Sequence, residues 1–161
     1  MRELVIDLDA IAANLKTMRG HCPNVKVCGV VKANAYGHGM VPVAQRLEAE
    51  GIDYLGVADI EEALELRAAG IRIPVLAWLH DIDEDFKLAV RANVDIGVST
   101  VAQIDQVAAA AKHLGTVSRV HLKVDTGLGR NGATMGDLPD LLRAAQDLQG
   151  QVLINVVGIF S

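Results

Sequence analysis

The chain has 161 residues, of which 51% are hydrophobic, 22% charged and only 3% aromatic. That balance excludes a disordered chain and calls for a core of Val, Ile, Leu and Ala, large enough for one domain over 1–161. The formal net charge of −5, without any local Lys/Arg cluster, excludes a nucleic-acid binder, and no apolar run approaches bilayer-crossing length.

The opening MRELVIDLD carries acids early and has no apolar h-region, so it does not read as a signal peptide, and the cytoplasm is the expected location. Within it, Leu4–Leu8 (LVIDL) reads either as a barrel strand or as an edge strand. Asp9 is the predicted N-cap of a first helix carrying Ile11, Leu15 and Met18, with Gly20 as the stop. A strand follows at Val25–Lys32, preceded by Cys22 and including Cys28, two thiols with no disulfide or metal spacing and expected to stay reduced. The next helix has Pro42 near its first turn, Leu47 inside and Gly51 after it. Strand Tyr54–Ala58 leads to an acidic capping box, Asp59 and Glu62, and a helix lined by Ile60, Ala63, Leu64 and Ala68, stopped by Gly70.

Strand Pro74–Trp78 precedes an acidic run (Asp81, Asp83, Glu84, Asp85), which reads as a solvated helix start rather than a metal site. No metal is expected. Phe86, Ala89 and Val90 mark a short helix, and strand Asp95–Ser99 follows. Thr100 and Gln103 form a second capping box before Ile104, Val107, Ala108 and Ala111, with Gly115 as the stop. Strand Val120–Asp125, a stripe of Leu138, Leu141, Leu142, Ala145 and Leu148 ending at Gly150, and strand Val152–Phe160 complete the pattern.

Near-continuous apolar strands suit a parallel sheet buried on both faces, and their serial alternation with helices is the signature of βα units. A doubly wound open sheet and a (β/α)8 TIM-type barrel compete. Six units are visible where a barrel needs eight, and no helix follows the last apolar run. The expected fold is therefore an incomplete α/β barrel of about six βα units.

Chemistry concentrates in two stretches. Val30–Gly39 reads VVKANAYGHG, with Lys32 at the C-terminal end of an apolar strand, where parallel α/β sites lie. A desolvated amine there has a lowered pKa, and the free amine attacks an aldehyde to form a Schiff base. Position alone favours a lysine snorkelling to solvent, and only the residues around it point the other way. His121–Gly132 reads HLKVDTGLGRNG and satisfies G-x-G-x-x-G through Gly127, Gly129 and Gly132. A dinucleotide site is rejected there: the next helix starts only near Leu138, Arg130 intrudes, and no acid closes a strand about 20 residues on.

The first stretch resembles the pyridoxal-phosphate (PLP) lysine signature of alanine racemases at every position, and Ala35–Gly39 separates it from the related decarboxylases. The second resembles their Lys-x-Asp-Thr-Gly-x-x-Arg-x-Gly element, here Lys123, Asp125, Thr126, Gly127, Arg130 and Gly132, with Leu128 where many relatives carry Met. The resemblance covers essentially the whole chain and implies a PLP-dependent isomerase. Its activity would be to interconvert L-alanine and D-alanine through a Schiff base on Lys32, supplying D-alanine for peptidoglycan.

By that resemblance Lys32 carries the cofactor and is one catalytic base, and Tyr36 donates a hydrogen bond to the cofactor phosphate. Arg130 contacts the cofactor phenolic oxygen and the substrate carboxylate, as an always-charged fork suits. Lys123 matches a lysine that many relatives carbamylate, which would turn a cation beside Arg130 into an orienting anion. The family adds a β-rich C-terminal domain and acts as a homodimer, the opposite base being a partner's tyrosine. The segment is therefore expected not to racemise alone. Two alternatives stay open: a serine or broad-specificity racemase of the same barrel type, and a non-catalytic PLP-homeostasis barrel. Trp78 reads as rim packing rather than a cofactor wall, His38 as loop-stabilising, and His80 and His121 as structural.

Overall fold

The structure, a computed structural model, describes residues 2–161. Two compact units are present, one running to Val75 and the other from Leu76 to Ser161.

In the first unit, helix α1 (Leu8–His21) starts where the Asp7 carboxylate accepts from the Ala10 N–H at 3.0 Å. The cap is thus Asp7, not the predicted Asp9, whose carboxylate instead pairs with Arg46. This early start also removes the ambiguous strand: among the described residues Leu4–Leu8 forms no strand, and Leu4 and Val5 are exposed. Strand β1 (Cys28–Val30) is shorter than predicted, because a change of backbone hand follows it within three residues. Next come a one-turn element α2 (Lys32–Tyr36), helix α3 (Met40–Ala49), strand β2 (Tyr54–Val57) and helix α4 (Ile60–Ala68). β1 and β2 are parallel, in the register Cys28↔Tyr54 to Val30↔Gly56.

α4 shows why the sequence pattern was readable. Asp59 Oδ1 caps the Glu62 N–H at 2.9 Å, and Ile60 and Ala63 of the predicted face are buried, whereas Leu64 is only partly buried and Ala68 exposed, the third buried position being Leu66. Complete burial of one such side chain stabilises the fold by roughly 1.5–3 kcal/mol.

The segments entering the strands are tied by charged side chains. Arg19 donates to the carbonyls of Glu50 (3.2 Å) and Gly51 (2.5 Å) and pairs with Asp53 at 3.2 Å. Asp53 accepts from the Val27 N–H at 3.0 Å, and this bond and Arg19 hold its carboxyl below the usual carboxylate range. Arg67 donates to the carbonyls of Ile71 and Ile73, and Glu48 accepts from the N–H groups of Arg72 and Ile73.

Strand β3 (Val75–Ala77) begins at the last residue of the first unit. The second unit continues with α5 (Lys87–Arg91), β4 (Asp95–Val98), α6 (Val101–Leu114), β5 (Ser118–Lys123), α7 (Leu138–Gly150) and β6 (Ile154–Phe160). β3 pairs in parallel with β4, β4 with β5, and β5 with β6, the last with a register shift at Val120/His121. From β3 to β6 the order of pairing thus follows the chain. α6 obeys its predicted signals: Thr100 caps the Gln103 N–H, Ile104, Val107, Ala108 and Ala111 are buried, and Gly115 closes it at φ +64°. On α7, Leu141 and Ala145 are buried, whereas Leu142 of the predicted stripe is exposed. Among the described residues no helix is long and apolar enough to cross a membrane.

Candidate active site

Lys32 follows β1 by two residues. Val31 is still tied to β2 through its N–H, which donates to the Gly56 carbonyl at 2.9 Å, and its side chain is buried. The backbone then turns left-handed for four consecutive non-glycine residues: Ala33, Asn34, Ala35 and Tyr36 have φ of 52°, 53°, 50° and 52°. An L-residue there costs of order 1–2 kcal/mol, so the surroundings must hold the turn.

They do so at each residue. The Ala33 N–H donates to Glu62 Oε1 at 2.5 Å, and Glu62 Oε2 accepts from the Ala58 N–H at 2.8 Å. Asn34, the residue type most tolerant of this conformation, accepts from the Met40 N–H at 2.8 Å through its side chain and caps α3. Its carbonyl accepts from the N–H groups of Gly37 and Gly39, both at 3.0 Å. The Ala35 N–H returns to the Val31 carbonyl at 2.8 Å, and its methyl is buried. His38 contacts the Ala35 carbonyl through Nδ1 at 2.9 Å, a loop-stabilising role. Gly37 and Gly39 both sit at φ +90°, which only glycine adopts without strain, and at Gly39 a Cβ would lie 2.9 Å from Pro42.

The outcome is a half-buried Lys32 whose Nζ stands 5.4 Å from the centroid of the Tyr36 ring, with Tyr36 itself 67% exposed. The turn thus brings an amine and a phenol together on a rigid base after a strand's C-terminal end.

In the second unit, β5 delivers Lys123 into the interior, 7% exposed, with Nζ 5.6 Å from the Phe160 ring centroid. Burial, and then the nearby Arg130 guanidinium, push its amine below the usual lysine value. The segment beyond is closed on itself: the Asp125 N–H donates to the Ala133 carbonyl (2.9 Å) and the Ala133 N–H to the Lys123 carbonyl (2.8 Å). Asp125 Oδ1 accepts from the N–H groups of Gly127 (2.9 Å) and Gly129 (3.0 Å), which hold its carboxyl below the carboxylate range. Gly132 (φ +125°) passes so near that a Cβ would fall 2.5 Å from the Asp125 nitrogen. The three glycines thus shape a closed loop, and α7 begins only at Leu138. Arg130 is exposed on this loop beside Lys123, with its fork available to an anion.

Trp78 packs at a tilt against Phe160, ring centroids 6.4 Å apart, His80 meets the Gly97 carbonyl at 3.1 Å, and His121 meets Asp95 at 3.2 Å, all contacts of packing and support. Of the acidic run, Asp85 accepts from the Lys87 N–H at 3.1 Å, just before α5, whose N-cap residue is Phe86. No group of three or more His, Cys, Asp or Glu side chains is placed to hold a metal among the described residues. Both cysteines are free.

Two features escaped sequence reasoning. Asp95 is buried between the guanidinium of Arg119 (2.7 and 3.0 Å) and His121. Its signal was an acid inside an apolar strand, followed by SRVHLK on the next. Glu62 was read only as half of a capping box, although its carboxylate leaves the helix for the Lys32 turn.

Fold and site together define a class: a parallel α/β protein that presents a lysine amine from a constrained turn at a strand exit. Residues 6–161 match the family described as alanine racemase, N-terminal domain. The chain belongs to that family. It is 46% identical to the alanine racemase of Mycolicibacterium smegmatis over 99% of its own length and 41% of the relative's. The alanine racemase of D-cycloserine-producing Streptomyces lavendulae superposes with a TM-score of 0.93 at 43% identity, over 96% of this chain and 40% of that one. A more distant structure, alanine racemase from Bartonella henselae with covalently bound pyridoxal phosphate, gives 0.84 at 25% identity, over 96% of this chain and 44% of that one. The chain therefore spans about two fifths of the length of the relatives it matches.

Proposed function

We propose that the protein containing this chain is a PLP-dependent alanine racemase, a cytoplasmic homodimer that interconverts L- and D-alanine for cell-wall synthesis, with Lys32 as the residue that binds the cofactor. The observation that carries this reading is the turn at Ala33–Tyr36, which holds the Lys32 amine half-buried beside the Tyr36 phenol. The residues fit the cofactor: a primary amine for its aldehyde, a phenolic donor for its phosphate, and in Arg130 a guanidinium for an oxyanion. When bound, PLP supplies an electron sink that acidifies the substrate's α C–H.

The chain's own residues do the rest. Lys32 Nζ anchors the cofactor and then takes or returns the α-proton on one face. The Tyr36 hydroxyl donates to the phosphate. Arg130 donates to the cofactor phenolic oxygen and to the substrate carboxylate. By the family resemblance Lys123, whose amine pKa is lowered, would add carbon dioxide as the free amine with release of a proton, and the resulting carbamate would offset the charge of Arg130 and orient it. The opposite face requires a second base, which the family resemblance places on a partner subunit.

The test is borohydride trapping of PLP on the full-length protein, followed by peptide mapping, with L-alanine and L-serine turnover measured in parallel. Trapping on Lys32, loss of the visible Schiff-base band in Lys32→Ala, and preference for alanine are expected. Trapping elsewhere, or a band that survives in Lys32→Ala, overturns the assignment. Preference for serine moves it to the broader racemases. Residues 1–161 alone are expected to show no racemisation.

A further inference from the structure

Glu62 holds more than a helix end. In a capping box the third-position side chain returns to the N–H of its own cap. Here neither oxygen does so. Oε2 takes the N–H of Ala58, the residue before the cap, at 2.8 Å. Gln103 does the same after Thr100, accepting from the Ser99 N–H at 2.8 Å, so this bond belongs to the fold's way of joining a strand to a helix. The bond from Oε1 to the Ala33 N–H, at 2.5 Å, has no counterpart at Gln103. It reaches the neighbouring strand exit, and Ala33 is both the residue after Lys32 and the first left-handed one.

The N–H that Glu62 accepts is the one in the peptide linking Lys32 to Ala33. Without that bond the chain could turn about the Lys32 ψ, which would tilt the Lys32 Cα–Cβ bond relative to the turn and swing the amine. The anion that fixes it stands in the first turn of α4, whose Ile60, Ala63 and Leu66 are buried. Two N–H donors converge on Glu62 from two strand exits, and only a carboxylate offers two acceptor oxygens and no donor. We infer that Glu62 is a positioning residue for Lys32: its carboxylate locks the Lys32–Ala33 peptide and so aims the Lys32 amine at the cofactor aldehyde. The aiming rests on the cofactor reading above. The lock on the peptide does not.

The test uses the full-length protein, Glu62→Gln and Lys32→Ala. Glu62→Gln keeps the shape but sets an NH2 against one of the two N–H groups. In cofactor-free wild type, the Ala33 amide should be protected from hydrogen exchange. In Glu62→Gln its exchange should quicken about tenfold or more, as expected on losing a charge-assisted hydrogen bond, while the Leu55 amide, bonded to the Pro74 carbonyl, should not change. The dissociation constant for PLP, from absorbance titration, should rise by a similar factor, about tenfold, with the melting temperature almost unchanged.

Rapid exchange at Ala33 in the wild type overturns the proposal without any variant. Unchanged exchange and affinity in Glu62→Gln also overturn it, and faster exchange with unchanged affinity reduces Glu62 to a structural tie. If PLP fails to attach to Lys32 in the wild type while Ala33 is protected, the cofactor reading has failed. The aiming then falls with it, whereas the lock on the peptide stands.

Discussion

Replacing Ala33 with glycine should make the chain more stable, although glycine in most ordered segments does the reverse. Ala33 lies at φ 52°, ψ 49°, the centre of the left-handed region. Alanine there costs of order 1–2 kcal/mol, which glycine does not incur. Against this, glycine gives the unfolded chain more freedom, a loss of about 0.4–1 kcal/mol. The Ala33 methyl is exposed, so little burial is forfeited, and the bond from its N–H to Glu62 is untouched. The net is a gain of roughly 0.5–1 kcal/mol, or about 1–4 °C in melting temperature for a chain of this size.

Gly37→Ala is the matched opposite. Gly37 sits at φ +90°, and a Cβ there would meet nothing within 4 Å, so any effect is one of backbone alone. It should destabilise by about 1 kcal/mol or more. Urea unfolding of the cofactor-free protein, comparing midpoints at constant slope, measures both. A midpoint for Ala33→Gly at or below wild type would refute the left-handed assignment of the turn.

Asp7→Ala should cost about 1 kcal/mol by removing the α1 cap, while Asp9→Ala, which breaks only a surface pair with Arg46, should cost less than about 0.5 kcal/mol, both by urea unfolding. Lys123 has a folded pKa below its unfolded value of about 10.4, so the native chain binds fewer protons than the unfolded chain between those two values. Stability should therefore rise with pH across that window, and Lys123→Met should flatten the rise in a pH series of unfolding curves. With 13C-labelled bicarbonate, wild type should show a carbamate resonance that Lys123→Met lacks, and an unaltered spectrum in the variant would place the modification elsewhere. Gly158→Ala should destabilise by about 1–3 kcal/mol in the same assay, because its Cβ would fall 2.5 Å from His121 Nδ1.

The strand–helix alternation was legible because burial imposes periodicity. Ile60 and Ala63, or Ile104, Val107 and Ala111, announce a helix face wherever they stand. Thr100, Asp59 and Gly115 announced their caps for the same local reason. The errors arose where local signals competed. Asp7 and Asp9 are equally good caps in isolation, and Arg46, 37 residues away, decides between them by engaging Asp9. The left-handed turn was hidden because Ala33 and Ala35 carry no tendency toward that conformation; hydrogen bonds from Glu62, Val31 and Met40 impose it. In the Lys32 stretch the left-handed path of the backbone was not readable. Asp95 was missed because a buried acid shows itself only through its partners on the next strand.

The ties at the strand entries have an implication for altering the protein. Arg19, Glu48, Arg67 and Asp53 secure the chain before the strands with side chain-to-backbone bonds that involve none of the proposed reactive groups. The strained turn lies at the opposite, exit end of β1. On the proposed racemase reading, a protein engineer could recast that exit loop for a bulkier amino acid while leaving the entry-side fastenings intact, and variants of those fastenings should reduce yield long before they alter substrate preference.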